Sequence, residues 1–239
     1  WRLNELAIAD HLVGSYGADN TATLFDGIRR LPPAHTLTVT VDGVRPQRYW
    51  TADLSREIRC ASDGEYVDAY LDHLRRAVND RVRSAHPVAA LLSGGLDSPI
   101  LACIAAGQLK AAGRPKLTTF SWVLAKDDPW PKQDERHLIE QVHAQEEHID
   151  GQFVLSEGKS PAAAHARGQQ MYGGFPLGGS DHIFETAERA QAAGARVLMG
   201  GFGGDQLPTS QGEGDLEDLL TAGRWPTFWR QARARARYK

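Results

Sequence analysis

Residues Val88–Ala102 read VAALLSGGLDSPILA. Val88–Leu92 is an unbroken apolar run, the pattern of a strand buried on both faces of a parallel sheet. Pro99 opens an apolar segment whose composition predicts a helix over 99–112, ending near Gly113 with Pro115 beyond it. Strand, glycine turn and helix in that order make an anion cradle, because the first N–H groups of the helix point back at the turn. Gly94 and Gly95 are expected to let the backbone approach an anion closely, with φ > 0. Ser93 and Ser98 offer hydroxyl donors. The stretch has no lysine, whereas a Walker A loop uses one to reach the β- and γ-phosphates. Asp97 stands in the cradle instead and would repel a phosphate unless a cation lay between them. Mg²⁺, held by one or two carboxylates and substrate phosphates, suits that arrangement. The loop therefore reads as a grip for pyrophosphate with Mg²⁺ rather than a device for γ-phosphoryl transfer. The competing reading is a plain glycine turn with Asp97 capping the helix.

Working outward, further strands are predicted at Lys116–Val123, His148–Leu155 and Ala195–Gly200. Helices are predicted at 134–145, 161–171 and 181–193, and another follows Ser62-Asp63-Gly64-Glu65, which resembles a capping box. Strands alternating with helices imply an α/β fold: a doubly wound, Rossmann-like parallel sheet. Ligands then sit beyond the carboxyl ends of the strands. A second glycine loop, Gly200–Gln206, follows the last of these strands and puts Asp205 at the same rim as Asp97. Before this pattern, Thr36–Trp50 reads as a β-hairpin with Asp42-Gly43 as a type I′ turn pair. Pro46 argues for an edge position there. The expected division is 1–55, an N-terminal appendage with its connector, and 56–239, the α/β domain.

The whole-chain totals exclude several classes. The 239 residues are 41% hydrophobic and 24% charged, with a net charge of −3, so the charge balance suggests neither nucleic acid nor an anionic membrane as partner. Cys60 and Cys103 give no metal-ligand spacing, which points to a reducing compartment, and a cytoplasmic location is expected. No membrane span is expected. The chain begins at Trp1 and reads as part of a longer protein. The tail GRWPTFWRQARARARYK has six basic residues and no acid; a solvated helix face over a Trp/Phe stripe is favoured over nucleic-acid contact.

SGGLDS resembles the pyrophosphate loop of the N-type ATP pyrophosphatases, which cleave ATP to AMP and pyrophosphate. Leu24–Trp50, with LFDGIRRLPPAHTLTV and RYW, resembles the segment of asparagine synthetases that joins their glutaminase and synthetase domains. Gly200–Leu207 is similar to that family's second Mg²⁺ loop, usually G-E-G-x-D-E. The resemblance implies the end of a glutaminase-like domain with its connector over 1–55. It implies a synthetase-type domain over 56–239, incomplete at its C-terminus. It implies ATP and Mg²⁺ as cofactors, with Asp97 and Asp205 as catalytic Mg²⁺–pyrophosphate ligands. Ser93, Gly94, Gly95 and Ser98 match the cradle. Leu91, Trp122, Gly200 and Gly201 fall where the family contacts ATP, although core packing also explains Trp122. The implied partners are a small-molecule or peptide carboxylate and an amine, with a precursor peptide or a leader-binding protein as further candidates.

Two positions depart from the family pattern. Phe202 stands where asparagine synthetases carry a glutamate acid/base, and Gln206 replaces the next glutamate. An aromatic ring cannot move a proton, so asparagine synthesis by the usual route is in doubt. The glutaminase nucleophile falls outside these residues, as does the family's C-terminal lysine. These departures fit the branch that joins an adenylated carboxyl to an amine other than ammonia. Asp134–Val142 and the GGFG loop resemble the lasso-peptide macrolactam synthetases of that branch. The alternatives are a non-catalytic ATP-binding module and a tRNA-modifying pyrophosphatase.

Other residues carry less. His137 and His143 share no helix face, which argues against a metal pair. Solvent exposure is favoured for His182 over substrate contact. Asp134 and Glu135 either cap their helix or face the nucleotide site. Trp225 and Trp229 form an apolar helix stripe, and Cys103 belongs to the core.

Overall fold

A computed structural model describes residues 2–13, 19–53, 55–56, 58–125, 134–155, 162, 166–168, 170, 181–205 and 215–237. Gln206, Leu207, most of the helix expected at 161–171 and the stretch 173–180 lie outside them. The chain forms two compact units, Trp1–Ser62 and Asp63–Lys239.

In the first unit, α1 (Glu5–Leu12) is capped by Asn4, whose Oδ1 accepts from the Ala7 N–H at 3.2 Å. Strands β1 (His35–Thr40) and β2 (Gly43–Arg48) pair antiparallel. Thr40 is opposite Gly43, so the loop is Val41-Asp42, one residue earlier than expected. A type I′ turn needs φ > 0 at both loop residues. Neither has it; Gly43 takes φ +136° instead. A β-branched valine resists positive φ, and the adjacent glycine does not.

The second unit is a parallel sheet of β3 (Val88–Leu91), β4 (Leu117–Val123), β5 (Ile149–Leu155) and β6 (Val197–Met199), in the order β5-β4-β3-β6. Its fully described helices are α2 (Asp63–Val82), α3 (Asp97–Ala111), α4 (Arg136–Gln145), α5 (Asp181–Ala192), α6 (Asp215–Thr221) and α7 (Trp225–Arg237). The strand pleat sends alternate side chains to opposite faces. Val88, Ala90 and Leu92 join one core cluster, with Val78 and Val82 of α2, Ala102, Ala105, Ala106 and Leu109 of α3, and Ile139 of α4. Ala89 and Leu91 join the other, with Phe120, Val154 and Ala190 of α5. Both faces are covered, which is why Val88–Leu92 carries no polar residue and why the fold is doubly wound.

The chain runs outward through β3, β4 and β5, then returns to pair β6 on the free side of β3. The order reverses between β3 and β6. Two consecutive crossovers there leave the sheet in opposite directions and open a crevice at the carboxyl ends of the strands.

The apolar stripe expected at Trp225 and Trp229 exists, but both side chains are more than half exposed. On the first cluster's side, Gly151 makes room for the His143 ring, which a Cβ there would overlap. Burial holds the His143 imidazole below its usual range, while Glu140 and Asp150 oppose this. The fold thus favours neutral His143, and the unfolded chain binds the proton first. This contribution is complete above the ordinary histidine pKa of about 6.5 and declines as pH falls through it. Urea denaturation at pH 7.5 and 5.5 should show a smaller pH difference for His143→Asn than for the parent chain. Ile139 is fully buried, so Ile139→Ala should cost about 2–5 kcal/mol in the same denaturation experiment.

Candidate functional site

Three segments build the site: the turn between β3 and α3, the residues after β6, and the start of α4. The β3 turn is held by its own hydroxyls. Ser98 Oγ accepts from the Ser93 N–H at 2.8 Å and lies 2.9 Å from Ser93 Oγ, which accepts from the Gly95 N–H at 3.3 Å. The Gly94 N–H donates to Glu135 Oε2 at 2.8 Å. The turn is therefore folded before any anion arrives, and a phosphate would compete with Glu135 for the Gly94 amide. Neither Gly94 nor Gly95 has positive φ, so the expected reason for two glycines is corrected. Gly94 is small because α4 lies against it: a Cβ would come within 2.7 Å of Glu135 Cβ and 2.9 Å of Leu138 Cδ1.

Helix α3 begins at Asp97, two residues before the expected Pro99, with Leu96 at the N-cap and no side-chain cap bond. Asp97 is thus not the cap. It sits in the first turn, where the helix dipole favours its negative charge. A Cβ on Gly201 would meet Ser98 N at 2.9 Å and Asp97 Cβ at 3.0 Å, and one on Gly204 would overlap the Asp97 carboxylate. The second loop reaches Asp97 only because it is built of glycine.

These contacts enclose a cavity of about 350 Å³ lined by Leu91, Leu92, Ser93, Gly95, Leu96, Asp97, Ser98, Phe120, Trp122, Glu135, Gly201 and Asp205. Of the candidate residues, Gly94 and Gly200 are not in its wall; Gly94 is turned to Glu135, and Gly200 lies beside Leu91. Asp134 and Glu135 take different roles. Asp134 Oδ1 accepts from the Arg136 N–H at 2.8 Å, a local turn at the start of α4, whereas Glu135 lines the cavity. Trp122, 39% exposed, is held at the mouth: its Nε1 donates to the buried Thr186 Oγ1 at 2.9 Å, and the His182 ring centroid lies 4.1 Å away. The exposed role expected of His182 gives way to packing on Trp122. Sequence reasoning missed Thr186 and Phe120, because nothing local marks a threonine on a distant helix as a tryptophan's partner.

The cavity wall carries three carboxylates and two hydroxyls, an all-oxygen set suited to a hard cation such as Mg²⁺. Among the described residues no three His, Cys, Asp or Glu side chains come together as a metal cluster. A cation here would take further ligands from a polyphosphate, as Mg²⁺ commonly does. The apolar part of the wall, Leu91, Phe120 and Trp122, suits a flat base.

Residues 69–237 match the family described as asparagine synthase. Glutamine-hydrolyzing asparagine synthetase 3 of Bacillus subtilis is 34% identical over 107 residues, 45% of this chain and 17% of that protein. Glutamine-hydrolyzing asparagine synthetase 1 of Saccharomyces cerevisiae is 26% identical over 211 residues, 76% of this chain and 36% of that protein. The chain thus spans well under half the length of these relatives.

Because Gly201 packs on backbone that cannot give way, Gly201→Ala should force the two loops apart. Overpacking of this kind costs about 1–3 kcal/mol, and calorimetric unfolding should register it as a lower Tm.

Proposed function

The chain belongs to the asparagine synthase family, and we propose that its second unit is an ATP-dependent amide-bond synthetase forming AMP and pyrophosphate. The observation that carries this reading is a cavity at the strand-order reversal whose wall includes residues of both glycine loops, Asp97 and Asp205 among them.

In this reading ATP binds with its base against Leu91, Phe120 and Trp122 and its triphosphate along Ser93, Gly95 and Ser98. Asp97 and Asp205 would hold a Mg²⁺ there, which would supply charge neutralisation for the leaving pyrophosphate. Gly201, which lines the cavity, lets the nucleotide lie close to the second loop, while Gly200 packs beside Leu91. An oxygen of the substrate carboxylate attacks the α-phosphorus, the bond to the β-phosphate bridging oxygen breaks, and pyrophosphate leaves. The amine nitrogen then attacks the acyl carbon, AMP departs, and one proton passes to solvent. Holding adenylate and amine together supplies much of the rate. Glu135 holds the turn to α4 through the Gly94 N–H, and the triphosphate would reach that amide only by displacing the carboxylate.

Phe202 has no proton to give or take. That supports an amine acceptor other than ammonia, with macrolactam formation on a precursor peptide as the favoured form. The same feature favours a second reading, a nucleotide-binding module without turnover. A cytoplasmic setting fits both, since ATP is supplied there and both described cysteines are unpaired.

ATP–pyrophosphate exchange by the full-length protein tests the proposal, with aspartate in one arm and a leaderless precursor peptide bearing an internal Asp or Glu in the other. Exchange with the peptide supports macrolactam chemistry, and exchange with aspartate alone restores asparagine synthesis. Tight ATP binding with neither exchange supports the silent module. Asp97→Ala should lower exchange at least ~100-fold, the scale for loss of a transition-state charge stabiliser, and chelation of Mg²⁺ should abolish it.

A further inference from the structure

Strand β4 sends Phe120 and Trp122 to the face that α5 covers, since alternate residues of a strand share a side. Phe120 is 1% exposed, and Val154, which pairs with Trp122 from β5, is fully buried. Trp122 keeps 39% of its surface open and lines the candidate nucleotide cavity.

The open indole is nevertheless held at two points, one helical turn apart on α5. Its Nε1–H donates to Thr186 Oγ1 at 2.9 Å. The His182 ring lies against it, with centroids 4.1 Å apart and planes inclined by 55°. Thr186 is buried, and its own proton is committed: Oγ1 donates to the His182 carbonyl oxygen at 2.6 Å. A hydroxyl has one proton and two lone pairs. Thr186 therefore accepts from the indole, and the N–H that is the ring's sole donor is spent inside the protein. One contact would leave a planar ring free to swing. A hydrogen bond at its edge together with a second ring against it fixes both position and tilt.

We propose that Thr186 is a positioning residue for nucleotide binding: through the indole N–H it sets Trp122 as the platform on which the base stacks. The inference rests on the reading of this cavity as an ATP site. The platform stands in place in the empty protein, so less side-chain freedom is lost when the nucleotide arrives. With its donor spent, Trp122 offers the base only π-surface, which selects a flat ring without reading its hydrogen-bonding edge. The phosphate turn at Ser93, Gly95 and Ser98 is held by its own hydroxyls and does not depend on Thr186.

The contact is read from the indole N–H resonances of the full-length protein, that of Trp122 being the one missing in Trp122→Phe. It should exchange slowly with solvent in the parent and in Thr186→Ser. In Thr186→Val, which keeps the volume but removes the acceptor, it should shift and exchange fast. Isothermal titration with ATP and with inorganic tripolyphosphate, each with Mg²⁺, reads the role. Thr186→Val should weaken ATP about fivefold or more, the low end of the range for a base losing an aromatic stacking partner. It should leave tripolyphosphate binding unchanged, and Thr186→Ser should recover the ATP affinity. ATP affinity indifferent to Thr186→Val would overturn the proposal. So would equal weakening of ATP and tripolyphosphate, the result of a general loosening of α5. If ATP binds with the Thr186 dependence but pyrophosphate exchange is absent with both aspartate and peptide, the adenylation reading falls and the positioning role stands. Failure of the parent to bind ATP overturns both.

Discussion

Asp97 stands against Gly201 and Gly204: its carboxylate occupies the place of a side chain at 204, and its Cβ and carbonyl carbon lie 3.0 and 3.2 Å from where a Cβ at 201 would be. Everything else at the rim follows from that contact. It joins the turn after β3 to the loop after β6 and contributes to the walls of two cavities, the candidate site and the one lined by Tyr70, Leu74, Ile100 and Phe202. The contact exists because β6 pairs with the free side of β3. Two glycine loops far apart in the chain then leave adjacent strands at the same level, with Ala90 beside Met199.

Electrostatics make the arrangement selective. Asp97, Asp205 and Glu135 share one cavity wall, and three carboxylates repel a bare polyphosphate. A hard divalent cation reverses that balance, because it bridges carboxylates and phosphates. The phosphate turn is meanwhile held in shape by Ser93, Ser98 and Glu135. A prefolded turn reduces the reorganisation that binding would otherwise require. The site thus combines a turn fixed by its own hydrogen bonds with three carboxylates in the adjoining wall.

Much of the fold was legible in the residues. The apolar run Val88–Leu92 and the strands that follow encode a parallel sheet, because burial on both faces removes the alternation of an open sheet; the helix after it opens at Asp97 rather than at Pro99. Details that depend on neighbours were not legible. The hairpin loop shifted by one residue because Val41 resists positive φ and Gly43 does not. The glycines at 94 and 201 answer to close approach by α4 and α3, not to backbone sign. His182 packs on Trp122 across elements that no local pattern connects.

The sequence by itself determined the alternation of strands and helices, the two glycine loops and the departure at Phe202, since each depends on local periodicity or on residue type. Tertiary structure decided that Asp97 and Asp205 share a cavity, that Glu135 faces it while Asp134 turns to Arg136, and that Phe202 stands exposed over an apolar wall. Those facts depend on which strand pairs with which and on how closely backbones approach. Both are set by packing between residues a hundred positions apart, beyond the reach of any local pattern.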